Sequence, residues 1–322
     1  MRRRFLLIAN PAAGIANTPL VENVARSLRQ AGATITRTVA SDLTQASCAA
    51  KHAAVAGTCD AVIAAGGDGT IRHVARAMIA TNMPLGIIPV GTGNVLAHEI
   101  GLAASTSMVS HTLLHGPVAS VALAEAGGEP FLLMVGAGFD ARVLSMLDQD
   151  LKSRIGKVAY AGPLLRALVR PVDRLHVTVD GRSHIASWAV IANAMHYGGG
   201  FAMAPRTHIF ERGLEAILFK AKDPVVLLRQ LMKLAAGKLE PHSTNGGTVE
   251  MLRCSRVTLE AQESVPTQID GDVFGTTPLE VDAGTTELHL IVPSAGKSAR
   301  QSALWQLDEK VNVSEHRCAN AT

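Results

Sequence analysis

Gly66-Gly67-Asp68-Gly69-Thr70 follows the apolar run Ala61–Ala65 and leads into the helical pattern Ile71–Ile79. Glycines between a strand and a helix let backbone amides and the positive end of the helix dipole approach a polyphosphate without interference from Cβ atoms. A carboxylate in such a loop makes sense when a cation arrives with the anion, so Asp68 reads as a residue near a phosphate-bound metal. The glycine spacing is wrong for a dinucleotide fingerprint, and the Gly-Lys-Ser/Thr ending of a Walker A loop is missing. A second loop, Gly91-Thr92-Gly93-Asn94, follows the strand pattern Leu85–Val90. Its hydroxyl and amide offer neutral hydrogen bonds to phosphate, ribose or a metal-bound water; its simpler reading is a strand-to-helix turn with Asn94 as cap. A third group, Gln268-Ile269-Asp270-Gly271-Asp272, lies between two β-like runs. Asp-Gly is first a hairpin signal, yet phosphoryl transfer needs a carboxylate to position or deprotonate an attacking hydroxyl. Spacing leaves open whether Asp270 and Asp272 face the same side.

These groups need elements to hold them. Phe5–Ala9, Thr34–Val39, Ala61–Ala65 and Pro84–Val90 read as strands, with helices near Leu20–Gln30, Leu43–Val55 and Thr70–Ile79. Strand and helix in alternation predict an α/β domain over residues 1–117, with a parallel sheet covered on both faces. Ligands bind beyond the carboxyl ends of such strands, so the Gly66 loop, the Gly91 loop and Asn10-Pro11-Ala12-Ala13-Gly14 should meet at one edge. After Pro117, short β-rich runs separated by Gly/Asp turns predict an antiparallel β-sandwich over 118–293. These runs include Val118–Glu125, Phe131–Val135, Leu175–Val179, Ser187–Ala194, Glu215–Phe219, Val257–Ala261, Val265–Ile269 and Glu287–Val292. The tail, 294–322, has helical spacing around Ala303, Leu304 and Leu307 and is expected to pack on the body.

Composition excludes several classes. A chain of 322 residues, 48% hydrophobic, has material for two cores. A net charge of +3 and 3% aromatic residues argue against nucleic acid. Cys48, Cys59, Cys254 and Cys318 lack metal-ligand spacing and read as reduced thiols of a cytoplasmic protein. The twelve histidines show no ligand spacing either, and His196 beside Tyr197 is a candidate contact to nucleotide or lipid, or a core residue. Met1-Arg2-Arg3-Arg4 with Phe5–Ala9 imitates a signal peptide, but the apolar run is short and ends at Asn10-Pro11. No run reaches the roughly 20 apolar residues of a membrane span. Two basic amphipathic stretches, Lys152–Arg170 and Val225–Leu239, are either packed helices or peripheral membrane contacts.

Six short motifs occur in one order: Asn10-Pro11 with Gly14; Gly66–Thr70; Pro89-Val90-Gly91-Thr92 with Asn94; Gly136-Ala137-Gly138-Phe139-Asp140; Tyr197-Gly198-Gly199-Gly200; and Gln268-Ile269-Asp270-Gly271. In that order the chain resembles the diacylglycerol kinase catalytic family, with the sphingosine kinases and bacterial lipid kinases, from Asn10 to about Val292. The Gly66 loop alone is shared with NAD kinases and phosphofructokinases. The resemblance implies a nucleotide domain of that kind followed by a β-sandwich. It implies ATP and Mg²⁺ as cofactors and a lipid at the membrane surface as acceptor, such as diacylglycerol or a sphingoid base, in phospholipid metabolism. By resemblance Asn10, Pro11, Gly14, Gly66, Gly67, Asp68, Gly69, Thr70, Gly91, Thr92 and Asn94 line the nucleotide site. Asp68 and Asp140 organise the metal, and Asp270 or Asp272 supplies the base; Asp270 matches the pattern unchanged and is the first choice. The chain departs from its relatives at Val95, where many have an acid, at His98, where an arginine is common, and at Asp272, where glutamate is usual. Arg212 within Glu211–Glu215 stands where some relatives bind a structural Mg²⁺ and would repel one. A soluble-substrate kinase of the NAD kinase type and a catalytically silent regulator are the alternatives, and a homodimer stays open.

Overall fold

The computed structural model describes residues 1–9, 19–39, 42–79, 81–148, 151, 156–239 and 248–294. Alternating apolar strands and helices open the chain: β1 (Arg4–Ala9), α1 (Pro19–Gln30), β2 (Thr34–Val39), α2 (Leu43–Ala56), β3 (Ala61–Gly66), α3 (Asp68–Met78), β4 (Leu85–Pro89), α4 (Val95–Glu99), α5 (Thr106–His115) and β5 (Val118–Ala122). β1 pairs in parallel with β2 and β3, and β3 with β4. α1 packs with α5 and α2 with α3, and between these layers β3 and β4 are buried along their whole length, as their continuous apolar runs require. Local signals set the helix ends: the Asp42 carboxylate accepts from Gln45 N, and Gly57 at φ 62° closes α2 in the left-handed region.

The second half continues with β6 (Ala124–Ala126), β7 (Glu129–Phe131), β8 (Met134–Ala137), α6 (Phe139–Ser145), a 3-10 turn (Gly156–Tyr160), α7 (Ala161–Leu168), β9 (Leu175–Val179), β10 (Arg182–Ala186), β11 (Trp188–Ala192), β12 (His196–Tyr197) and β13 (Phe201–Ala202). It ends with β14 (Leu214–Phe219), α8 (Pro224–Ala235), β15 (Val249–Cys254), β16 (Arg256–Ala261), β17 (Pro266–Ile269), β18 (Asp272–Thr276), β19 (Leu279–Asp282) and β20 (Glu287–Ile291). Two six-stranded sheets, ordered β10-β9-β16-β19-β6-β7 and β15-β14-β11-β8-β17-β18, form the sandwich. Val177, Ile191, Val257, Leu259 and Val281 fill the space between them. The outer face of the second sheet carries Trp188, Val190, Ile217 and Phe219 into a core shared with the first domain and with Ala167, Leu168, Leu227 and Leu234 of α7 and α8.

Two runs expected in the sandwich go elsewhere. β5 and β20 join the first sheet, whose order is β2-β1-β3-β4-β20-β5; β20 runs parallel to β4 and antiparallel to β5. Without β20, the buried β4 would present unpaired backbone groups at an edge. Strand β10 is absent from the sequence reading because its residues are largely exposed and lack alternation. Residues 295–322, with Ala303, Leu304, Leu307 and Cys318, lie outside the described residues, as do Asn10, Pro11, Gly14 and the start of the Lys152–Arg170 stretch.

Candidate active site

The two glycine loops touch. Gly66 pairs with Pro89 at the ends of β3 and β4, and Val90 N donates to Gly66 O at 3.1 Å. Just beyond, a Cβ on Gly91 would stand 2.3 Å from Gly67 Cα, and one on Gly66 would stand 2.4 Å from Thr70 Cβ. Only glycine permits this approach. α3 begins at Asp68, so its first amides, without intrahelical partners, open at the loop with the positive end of the dipole behind them. Asp68 joins the loops: its Oδ1 accepts from Leu96 N at 3.2 Å, and its Oδ2 lies 3.0 Å from the position a Gly93 Cβ would take. Asn94 adopts φ 49°, and its Oδ1 accepts from Gly91 N at 2.8 Å, which closes the second loop on itself. Thr92 is exposed. β1 ends at Ala9 in register with Ala65, so the strand leading into Asn10 stops at this same edge.

The Asp-Gly-Asp run is a two-residue hairpin turn between β17 and β18, with Ile269 opposite Asp272 and positive φ at Asp270 and Gly271, 50° and 88°. Its two acids point to different surroundings. Asp270 is 6% exposed, and its carboxylate accepts from the amides of Leu132, Leu133 and Met134 at 2.9, 2.8 and 2.9 Å. Burial raises its pKa, outweighing the downward pull of those amides and of Arg72. The Asp272 side chain is 41% exposed. Its Oδ2 accepts from Arg72 Nη2 at 2.7 Å and lies 3.7 Å from where a Gly69 Cβ would sit, above the first turn of α3.

Asp140 supports the turn from behind. It is 5% exposed; Oδ1 accepts from Ala141 N at 2.8 Å and Oδ2 from Gln268 Nε2 at 3.0 Å, with Tyr197 Oη donating to Oδ2 at 3.5 Å. Gln268 Oε1 in turn accepts from Gly271 N at 2.8 Å. Burial lifts the Asp140 pKa to about 6, and burial together with Asp140 keeps Tyr197 protonated by raising its pKa far above the ordinary value. A Cβ on Gly136 would meet the Asp140 carboxylate at 1.9 Å, so the motif's glycine makes room for its acid. Among these partners none belongs to the Gly66 or Gly91 loops.

Two residues escaped the sequence reading. Arg72, 9% exposed, donates to Ile269 O at 3.2 Å as well as to Asp272. Its position four residues after Asp68 placed it on the same helix face, which was the available signal. Glu99, fully buried on α4, accepts from the His196 ring at Nδ1, 2.7 Å away, and so ties the second loop to β12. His98 is exposed, with its ring centroid 6.3 Å from that of His196. Val95 is buried. In Glu211–Glu215, Arg212 donates to Thr285 O and Glu287 at 3.1 Å each, while the fully buried Glu215 accepts from Arg206 and Thr207. Among the described residues no cluster of three or more His, Cys, Asp or Glu could hold a metal ion.

Residues 4–126 match the diacylglycerol kinase catalytic domain, and residues 133–293 match the YegS C-terminal NAD kinase beta sandwich-like domain. The chain belongs to the family of diacylglycerol and YegS-like lipid kinases. Diacylglycerol kinase of Bacillus subtilis is 27% identical over 305 residues, which are 90% of this chain and 97% of that one. An uncharacterized protein of Synechocystis sp. is 30% identical over 237 residues; the match covers 72% of this chain and 54% of that protein's length. A solved diacylglycerol kinase structure from Bacillus anthracis superposes with a TM-score of 0.65 at 19% identity, covering 91% of this chain and 98% of the other. The parallel-sheet domain followed by a sandwich is thus the lipid kinase fold. Within this lipid kinase family, the chain meets Asp272 with an arginine from α3. No helix among the described residues is long and apolar enough to cross a membrane.

Proposed function

We propose that this protein transfers the γ-phosphoryl group of ATP to a primary hydroxyl of a membrane lipid, diacylglycerol or a sphingoid base. The observation that carries the reading is Asp272, an accessible carboxylate held by Arg72 within 3.7 Å of the Cβ position of Gly69 in the phosphate-binding loop. The amides at the start of α3 bind the phosphates. As the lipid oxygen bonds to the γ-phosphorus, the bond to the β–γ bridging oxygen breaks, ADP leaves, and the hydroxyl proton passes to Asp272. Asp270, the first choice from sequence, has both oxygens engaged by buried amides, which supports a role in shaping the turn.

Mg²⁺ keeps most of its water and needs one or two carboxylates plus substrate phosphates, not a protein cage. Asp68 fits that demand at the junction of both glycine loops. When bound with ATP, the ion would neutralise charge on the transferring phosphoryl group. Asp140, expected beside the metal, is enclosed by Ala141, Gln268 and Tyr197; these contacts support a positioning role.

Radiolabelled phosphate transfer from ATP to diacylglycerol, sphingosine and NAD tests the reading. Label in a lipid is the expected result. Label in NAD, or in none of the three, overturns it.

A further inference from the structure

Helices α7 and α8 lie side by side on the outer face of the second sandwich sheet and send Ala167, Leu168, Leu227 and Leu234 into the shared core. Their opposite stripes are apolar as well. On the 3-10 turn and α7, and just past its end, Val158, Leu165 and Val169 are 69%, 64% and 82% exposed; on α8, Val225, Leu228 and Met232 are 76%, 44% and 61% exposed. Isolated exposed apolar residues are ordinary, but adjoining stripes of them mark an interaction surface. The charged side chains within the two helices are all basic. Arg166, Arg170, Lys222, Arg229 and Lys238 are exposed and form no ion pair among the described residues. The nearest acid in sequence, Asp223, is engaged in capping α8 through the amides of Val225 and Val226. The 3-10 turn begins at Gly156, where a Cβ would lie 3.7 Å from Thr92 Cγ2, so this surface reaches the second glycine loop.

We infer that the α7–α8 face docks on an anionic lipid bilayer. Apolar stripes sink to the acyl boundary while arginines and lysines at their margins meet anionic headgroups. A two-fold contact between copies would set the same cations against each other, which disfavours a second chain as the occupant. The inference rests on the lipid kinase reading for its purpose: it brings the acceptor's surface to the mouth of the site.

The test is co-sedimentation of the full chain with vesicles of phosphatidylcholine, with and without phosphatidylglycerol, alongside transfer to a water-soluble short-chain diacylglycerol. The parent should bind phosphatidylglycerol vesicles. V169E/M232E should lower the partition coefficient at least about tenfold, since two apolar anchors are lost, and R166E/R229E should lower it roughly fivefold per cation, an effect erased by salt. Both variants should keep the parent melting temperature and short-chain turnover. The inference is overturned if the parent ignores phosphatidylglycerol vesicles, if V169E/M232E binds them as the parent does, or if that variant only converts a dimer to a monomer. Vesicle binding without turnover on any lipid would leave docking standing and overturn the kinase reading alone.

Discussion

Asparagine substitutions at the two acids of the hairpin turn should separate fold from chemistry. Asp270→Asn keeps one acceptor oxygen but turns an NH₂ group toward amides that now donate to a carboxylate from Leu132, Leu133 and Met134. At 6% exposure no water replaces the lost acceptor. One buried unsatisfied donor costs about 1–3 kcal/mol, and loss of the charge-assisted bonds brings the sum to about 2–4 kcal/mol. Asparagine tolerates the left-handed backbone at this position, so conformational strain does not confuse the result. At roughly 2–4 °C per kcal/mol, the melting temperature should fall by about 5–15 °C. Asp272→Asn touches a side chain 41% exposed; it should change stability by less than about 1 kcal/mol while lowering kcat by about 10² to 10⁴. Thermal melts and radiolabel turnover at saturating ATP measure both quantities. An Asp270→Asn protein that melts within about 1 °C of the parent yet loses turnover at least about a hundredfold would make Asp270 the base and refute this division of labour.

Asp68→Ala should abolish turnover in a folded protein, because the carboxylate acts on charge at the phosphates; turnover within about threefold of the parent, roughly 0.7 kcal/mol of barrier, contradicts that role. Gly91→Ala forces a Cβ to 2.3 Å from Gly67 Cα and should weaken ATP binding at least about tenfold, since the paired loops must separate and the amides lose their aim; unchanged affinity by calorimetry counts against the site. The Asp140 pKa, lifted by burial to about 6, exceeds its unfolded value, so the fold favours the protonated form. Its stabilising contribution is therefore full below about pH 4 and lost as pH rises through about 6, by about 3 kcal/mol at most. Asp140→Asn should flatten the stability profile across that window, and identical slopes for parent and variant would count against this linkage.

Much of this was legible in the chain. Strands β1, β3 and β4 were visible because burial on both faces demands continuous apolar runs, the edge strand β2 because its β-branched residues favour an extended backbone, and the glycine loops because close backbone approach leaves no other residue type. The Asp-Gly turn was legible as a hairpin, but not the split between its acids. Asp270 and Asp272 are two residues apart, and their surroundings come from Leu132–Met134 and from Arg72, more than a hundred residues away in sequence. Arg72 and Glu99 stayed hidden for the same reason: each is an ordinary helix residue until the sandwich places Asp272 and His196 against it. Asp140 was expected beside the metal only from the family order of the motifs, and its enclosure by Ala141, Gln268 and Tyr197 supports the positioning role proposed above.

The return of β20 to the first sheet has a consequence for how the molecule comes into being. β4 is completed by a strand some 200 residues downstream, with Leu290 opposite Leu85. During synthesis the catalytic sheet therefore waits, with one strand missing, until nearly all of the sandwich has left the ribosome. Contacts of such long sequence separation slow folding and leave an unpaired apolar edge exposed meanwhile. A fragment ending near residue 126 would carry the Gly66 and Gly91 loops and still lack the strand that closes its sheet. The order of emergence thus couples completion of the parallel sheet, and of the edge on which both glycine loops sit, to synthesis of the sandwich.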